Sequence, residues 1–193
     1  MLEIASNDGY LLRFFKESGT AVLGIEPAQN IAEVASQRGI PTLQKFFGPD
    51  LVTEVIASFG AADLIIGNNV LAHVPHINGF LSAVKACLKP GGMAVFEFPH
   101  LKELVDRTEF DTIYHEHVFY YSLAAVRELA RRAGLEVVDV SHQPVHGGSL
   151  RVFLQAAGAS SAEVARTLDE ERIAGLLGAE RFAAFGAAVS GLK

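Results

Sequence analysis

The sequence predicts an α/β protein with a doubly wound, mostly parallel sheet of seven strands in which the last strand is antiparallel. Two observations predict it. Short continuous apolar runs alternate with segments whose apolar residues recur at helical spacing, the pattern of buried parallel strands joined by crossover helices. The last two strand-like runs, 136–140 and 150–155, are joined by only about nine residues, 141–149. A parallel crossover needs roughly a dozen or more, so this pair is expected to be antiparallel.

Each element follows in order. Residues 1–4 read as a short first strand, and Asn7-Asp8-Gly9 as a turn with capping residues. Leu11, Leu12, Phe14 and Phe15 give residues 10–16 helical spacing. Residues 21–26 are an apolar run ending in an acid, the second strand. Residues 28–37 read as a helix stopped at Gly39, residues 41–47 as the third strand, and residues 49–58 as a helix closed by Gly60. Residues 63–67 form the fourth run. The helix at 77–88 stops at Lys89-Pro90-Gly91-Gly92, and the fifth strand spans 93–98. A loop rich in His and Tyr leads to an amphipathic helix at 123–133, capped by Gly134. Helices at 162–177 and 179–189 follow the final strand pair.

Composition narrows the function. The 193 residues are 50% hydrophobic and 20% charged, which suits one well-buried domain and excludes a disordered or collagen-like chain. Sixteen basic against 22 acidic residues give a net charge of −6, the wrong sign for nucleic-acid or anionic-membrane binding. The single cysteine, Cys87, allows no internal disulfide and no multi-cysteine zinc site, so a reducing, cytoplasmic location is expected. No run approaches the roughly 18 apolar residues of a membrane span.

In an open α/β sheet, ligands bind outside the carboxyl ends of the strands. Polar residues gather there: Glu3 to Gly9, Glu26-Pro27, Asn68-Asn69, and Pro99-His100 with Ile113-Tyr-His-Glu-His117. An acid at the second strand end, here Glu26, can accept both hydroxyls of a ribose. The first turn, Glu-Ile-Ala-Ser-Asn-Asp-Gly, has one glycine where the dinucleotide fingerprint has three. Ala5 and Asn7 hinder a pyrophosphate, which argues against NAD and FAD and for a nucleoside without a diphosphate. The His-Glu-His at 115–117 lacks the H-E-x-x-H spacing of a metal site, and no metal is expected. In an extended chain His115 and His117 would share one side.

These residues resemble a known family. EIASNDGYLL (3–12), GIEPAQNIA (24–32), GIPTLQKFF (39–47), ADLIIGNNVLAHVPHINGF (62–80) and LKPGGMAVFEFPH (88–100) resemble class I S-adenosylmethionine-dependent methyltransferases. FDTIYHEH (110–117) with HGGSLRVF (146–153) narrows the resemblance to sugar C-methyltransferases acting on nucleotide-linked keto-deoxysugars. The resemblance implies a Rossmann-like methyltransferase fold, with S-adenosylmethionine as cofactor and S-adenosylhomocysteine as product. It implies that Glu3, Ala5, Asn7, Gly9, Glu26, Pro27, Phe46, Phe47, Asn68 and Asn69 line the cofactor. Ala5 stands where the family usually has glycine. Tyr114, Glu116, His117 and His73 are the implied catalytic residues, and His100, His146, Ser149 and Arg151 face the sugar. It also implies a catalytic domain over 1–157 and a helical segment over 158–193, together the central part of a longer enzyme.

Carbon methylation next to a ketone needs a base and a stabilised enolate oxygen. His117 suits the base because imidazole titrates near neutrality, and Tyr114 or His73 can donate to the oxygen. The alternatives are an O- or N-methyltransferase of a small metabolite and an inactive cofactor-binding domain.

Overall fold

The computed structural model describes residues 1–192. Its seven-stranded sheet has the order β3-β2-β1-β4-β5-β7-β6. The strands are β1 (Leu2–Ile4), β2 (Leu23–Ile25), β3 (Thr42–Leu43), β4 (Ala62–Asn68), β5 (Leu88–Pro99), β6 (Glu136–Gln143) and β7 (Ser149–Gln155). The first five pair in parallel. β7 runs antiparallel between β5 and β6, as the short connection requires; the strands extend further than expected and leave only 144–148 between them. Helices α1 (Leu12–Glu17), α2 (Gln29–Gln37), α3 (Val52–Ser58), α4 (Ile77–Cys87), α5 (Leu101–Asp106), α6 (Leu123–Arg132), α7 (Ala162–Ile173) and α8 (Ala179–Ser190) complete the chain. Among the described residues no helix is long and apolar enough to cross a membrane.

Burial explains the sheet: β1 and β2 are buried at every residue, and β7 at alternate residues beyond Leu150. Leu2, Ile25, Ile65, Phe96, Leu150, Val152 and Leu154 are fully or almost fully buried. They interlock with Leu81, Val84, Leu123 and Val126 from the helices in one core cluster. Burial of this apolar area, at about 25 cal/mol per Å², is the main driving force. Ser122 and Ser161 cap α6 and α7, their hydroxyls accepting from the N–H of Ala125 and Val164.

Four expectations need correction. The third strand pairs only at Thr42–Leu43, because β2 ends at Ile25 and leaves Phe46 with nothing to pair against. The Lys-Pro-Gly-Gly stop lies inside β5. Ala62 pairs with Leu88 and Leu64 with Met93, so the extra residues bulge out, with Gly91 at φ +77. The His- and Tyr-rich loop begins with a short helix, α5, held by buried Leu104 and Val105 against Leu176. α7 ends at Ile173, and its terminal turn carries Leu176 onto that cluster.

Candidate active site

The turn after β1 passes through three left-handed residues, Ala5 (φ +55), Asn7 (φ +52) and Gly9 (φ +76). Gly9 is a packing requirement: a Cβ there would come within 2.8 Å of the Ile40 side chain. Asn7 tolerates this conformation and Ala5 carries a steric cost in it. The turn is clamped by Glu26, whose carboxylate accepts from the backbone N–H of Asn7 at 3.1 Å and of Ala28 at 2.9 Å. Glu3 sits below, 2% exposed, with Oε2 unpartnered. Burial pushes its pKa up to about 8.

Three cavities converge over the strand ends. An apolar pocket of about 220 Å³ is walled by Ile4, Ile25, Pro27, Phe46, Phe47 and Phe80. A polar pocket of about 490 Å³ is bordered by Asn7, Tyr10, Asn68, Glu97 and Arg151. Ala5, Asn69 and His73 border both. A third cavity, of about 470 Å³, holds Tyr114, His117, Tyr120 and Glu109, and His146 links it to the polar pocket. Asn69 borders all three. It stands at φ +53, its N–H donates to the Glu97 carbonyl at 2.7 Å, and its buried Oδ1 has no partner.

The segment 113–117 is a turn rather than an extended run. The His117 N–H donates to the Tyr114 carbonyl at 3.1 Å, so Tyr114 and His117 face the same cavity and His115 does not join them. This corrects the expected pairing of His115 with His117. Tyr114 Oη lies 2.9 Å from His117 Nε2, with the ring centroids 4.3 Å apart. Tyr120 follows at 5.7 Å from His117. The His73 ring stands 4.9 Å from that of His117. His73 Nδ1 donates to the carbonyl of Glu116 at 3.0 Å. Burial, and next the His73 charge, pull the His117 pKa below the usual histidine value.

Most of the residues expected from sequence therefore gather on these cavities. Glu116 contributes its backbone, while its side chain is exposed and borders none of the three. Gly9 and Glu26 brace the turn rather than line a cavity. Arg151 is bound to Glu97 at 2.7 Å in the polar pocket. Ser149 is 2% exposed and donates to the Val145 carbonyl. His100 is 1% exposed and borders the third cavity. Sequence reasoning missed Tyr10, Glu97, Glu109 and Tyr120. Tyr120 carried a signal, since Tyr114, His117 and Tyr120 repeat every third residue. Among the described residues, no three His, Cys, Asp or Glu side chains converge in a group suited to a metal ion.

Comparison with known proteins adds kinship. The sequence model of a methyltransferase domain matches residues 1–140. The C-methyltransferase NovU of Streptomyces niveus is 40% identical over 179 residues, 91% of this chain and 43% of that protein. The ubiquinone biosynthesis O-methyltransferase of Paramagnetospirillum magneticum is 32% identical over 97 residues, 48% of this chain and 37% of that protein. The chain spans less than half the length of either curated relative. Magnesium protoporphyrin IX methyltransferase of Synechocystis PCC 6803, solved with bound SAH, superposes with a TM-score of 0.60 at 13% identity. That match covers 79% of this chain and 72% of the other, and shows a shared fold.

Proposed function

We infer the chemistry from kinship: the chain belongs to the methyltransferase-domain family. Its proposed reaction is transfer of a methyl group from S-adenosylmethionine to a carbon next to the ketone of a nucleotide-activated deoxysugar. The observation that carries this reading is the seam at Asn69, where an apolar pocket, a polar pocket and a cavity with a histidine base meet.

The residues present suit the cofactor. Unpartnered Oε2 of Glu3 and Oδ1 of Asn69 are buried acceptors waiting for donors, and an amino-acid ammonium and ribose hydroxyls are donors. Each oxygen of Glu26 receives one backbone N–H and keeps capacity for a ribose hydroxyl. Phe46 and Pro27 offer faces to a flat base at the rim of the apolar pocket. S-adenosylmethionine supplies a methyl group made electrophilic by its sulfonium.

The chain's own residues supply the rest. Neutral His117 takes the proton from the substrate carbon at Nε2, the nitrogen that Tyr114 occupies in the resting site. The C–H electron pair moves into the carbonyl, and the Tyr114 hydroxyl, released from Nε2, donates to the enolate oxygen. His73, held by the Glu116 carbonyl, borders both cofactor pockets and keeps the base beside them. Holding the carbanion carbon against the methyl supplies much of the acceleration. The 40% identity to a C-methyltransferase supports carbon as the acceptor atom.

The test is methyl transfer from labelled cofactor to a keto-deoxysugar nucleotide, run beside exchange of the substrate C–H for deuterium without cofactor. Both are expected with the parent chain, and both are expected to fall steeply in His117→Gln. Transfer without exchange would favour an oxygen or nitrogen acceptor.

A further inference from the structure

His100 and Glu171 form a buried pair that the reaction above does not use. His100 follows β5 and borders the cavity holding Tyr114 and His117. Both side chains of the pair are 1% exposed. The Glu171 carboxylate, on α7, collects three donors: Nε2 of His100 at 2.8 Å, the N–H of Ala124 at 2.9 Å and the N–H of Leu123. One backbone N–H reaches each oxygen, so the carboxylate is an acceptor throughout and His100 carries a proton on Nε2. That leaves Nδ1, which is buried and has no partner. A buried polar atom without a partner is costly enough that native structures keep few of them.

We propose that His100 Nδ1 accepts a hydroxyl of the sugar substrate, and that Glu171 is the positioning residue that fixes the tautomer this requires. The proposal rests on the reaction above, since that reaction puts a hydroxyl-bearing acceptor in the cavity. Ketone and phosphate oxygens carry no proton for a bare imidazole nitrogen; a hydroxyl does. The pair also ties two distant segments to one site. The carboxylate that orients His100 also satisfies the first N–H groups of α6, so α7 braces a residue that borders the cavity.

The test is ¹⁵N-histidine NMR of the whole chain, with His100 assigned by its loss in His100→Gln, during titration with the keto-deoxysugar nucleotide of the transfer assay. In the free chain Nε2 is expected to carry a bonded proton and Nδ1 none. Ligand is expected to move Nδ1 upfield while Nε2 keeps its proton. Glu171→Gln is expected to abolish that response and leave the one at His117. Should this variant fail to fold, the titration of the parent chain decides alone. A proton on Nδ1 in the free chain, or an Nδ1 that does not move, overturns the proposal. A response at His117 alone removes this pair's role and leaves the reaction standing. Silence from both histidines removes the pair's role and the nucleotide-sugar substrate together.

Discussion

His73 and His117 stand with ring centroids 4.9 Å apart at 65°, and each belongs to a different cavity. His73 borders the apolar and polar pockets and His117 the third cavity. On the proposed reaction the pair marks where cofactor and acceptor would meet. It also sets the base. Burial lowers the His117 pKa most, then the His73 charge, with His146 a smaller contribution of the same sign; Thr112 and Glu116 oppose. The acid limb of kcat/KM is expected below the ordinary histidine value of about 6.5. Removing the neighbouring charge in His73→Gln is expected to move that limb upward. A pH–rate profile whose limb stays put or moves down would refute the assignment.

In the proposed reaction Tyr114 and His117 act on the acceptor and not on the cofactor. His117→Gln is expected to lower methyl transfer by about 10²–10⁴-fold, the usual span for a lost general base. Tyr114→Phe is expected to lower kcat by a smaller factor. Calorimetry with S-adenosylhomocysteine should read unchanged affinity in both; a loss of binding would place these residues in the wrong role.

Glu3 is expected to link pH to cofactor binding. With a pKa of about 8 it is mostly neutral at pH 7 in the free chain. An incoming ammonium favours the anion, so binding is expected to release a proton and to weaken as pH falls below about 8. Calorimetry in buffers of different ionisation enthalpy reads that proton. The stability sign is fixed too. The unfolded carboxyl ionises near 4.5, so between about 4.5 and 8 the folded chain holds more protons and loses stability as pH rises. Glu3→Gln is expected to flatten this slope and to melt higher at pH 8. Thermal unfolding from pH 5 to 9 shows whether it does.

Ala5 is expected to accept glycine. Its φ of +55 is left-handed, a conformation costing an L-residue roughly 1–2 kcal/mol. Glycine relieves that and gives back about 0.4–1 kcal/mol through the freer unfolded chain. Stability should therefore hold or rise, by at most about 1.6 kcal/mol. Cofactor affinity should rise, since the Ala5 methyl borders both pockets. Weaker binding by Ala5→Gly, measured by calorimetry, would contradict this.

Gly147 and Gly148 are held by close neighbours as well as by their turn. A Cβ on Gly147 would lie 2.3 Å from a Glu109 carboxylate oxygen, and one on Gly148 2.7 Å from Glu103 Cγ. Both have positive φ. Either change to alanine is expected to destabilise by about 1–3 kcal/mol. It should also deform the cavity at His146 and raise KM for the acceptor. Chemical denaturation and steady-state kinetics measure the two effects separately.

The sequence by itself determined the layered α/β sheet. Apolar runs such as Leu64–Ile66 alternate with helical spacings such as Leu11, Leu12, Phe14 and Phe15, which fixes the layering even though Phe14 itself is 55% exposed, and a nine-residue connection cannot cross over. It also pointed to the strand ends, because the fold sends ligands there. Tertiary structure decided what pattern cannot carry. Insertion of β7 between β5 and β6 depends on long-range pairing. The turn that sets Tyr114 beside His117 and sends His115 elsewhere depends on a local hydrogen bond that a period-two reading misses. The meeting of Asn69, His73 and His117, and of His100 with Glu171 71 positions later, exists only once the helices are packed. Short-range spacing encodes which face of an element is buried; it holds no information about which buried groups from distant segments come within hydrogen-bond reach.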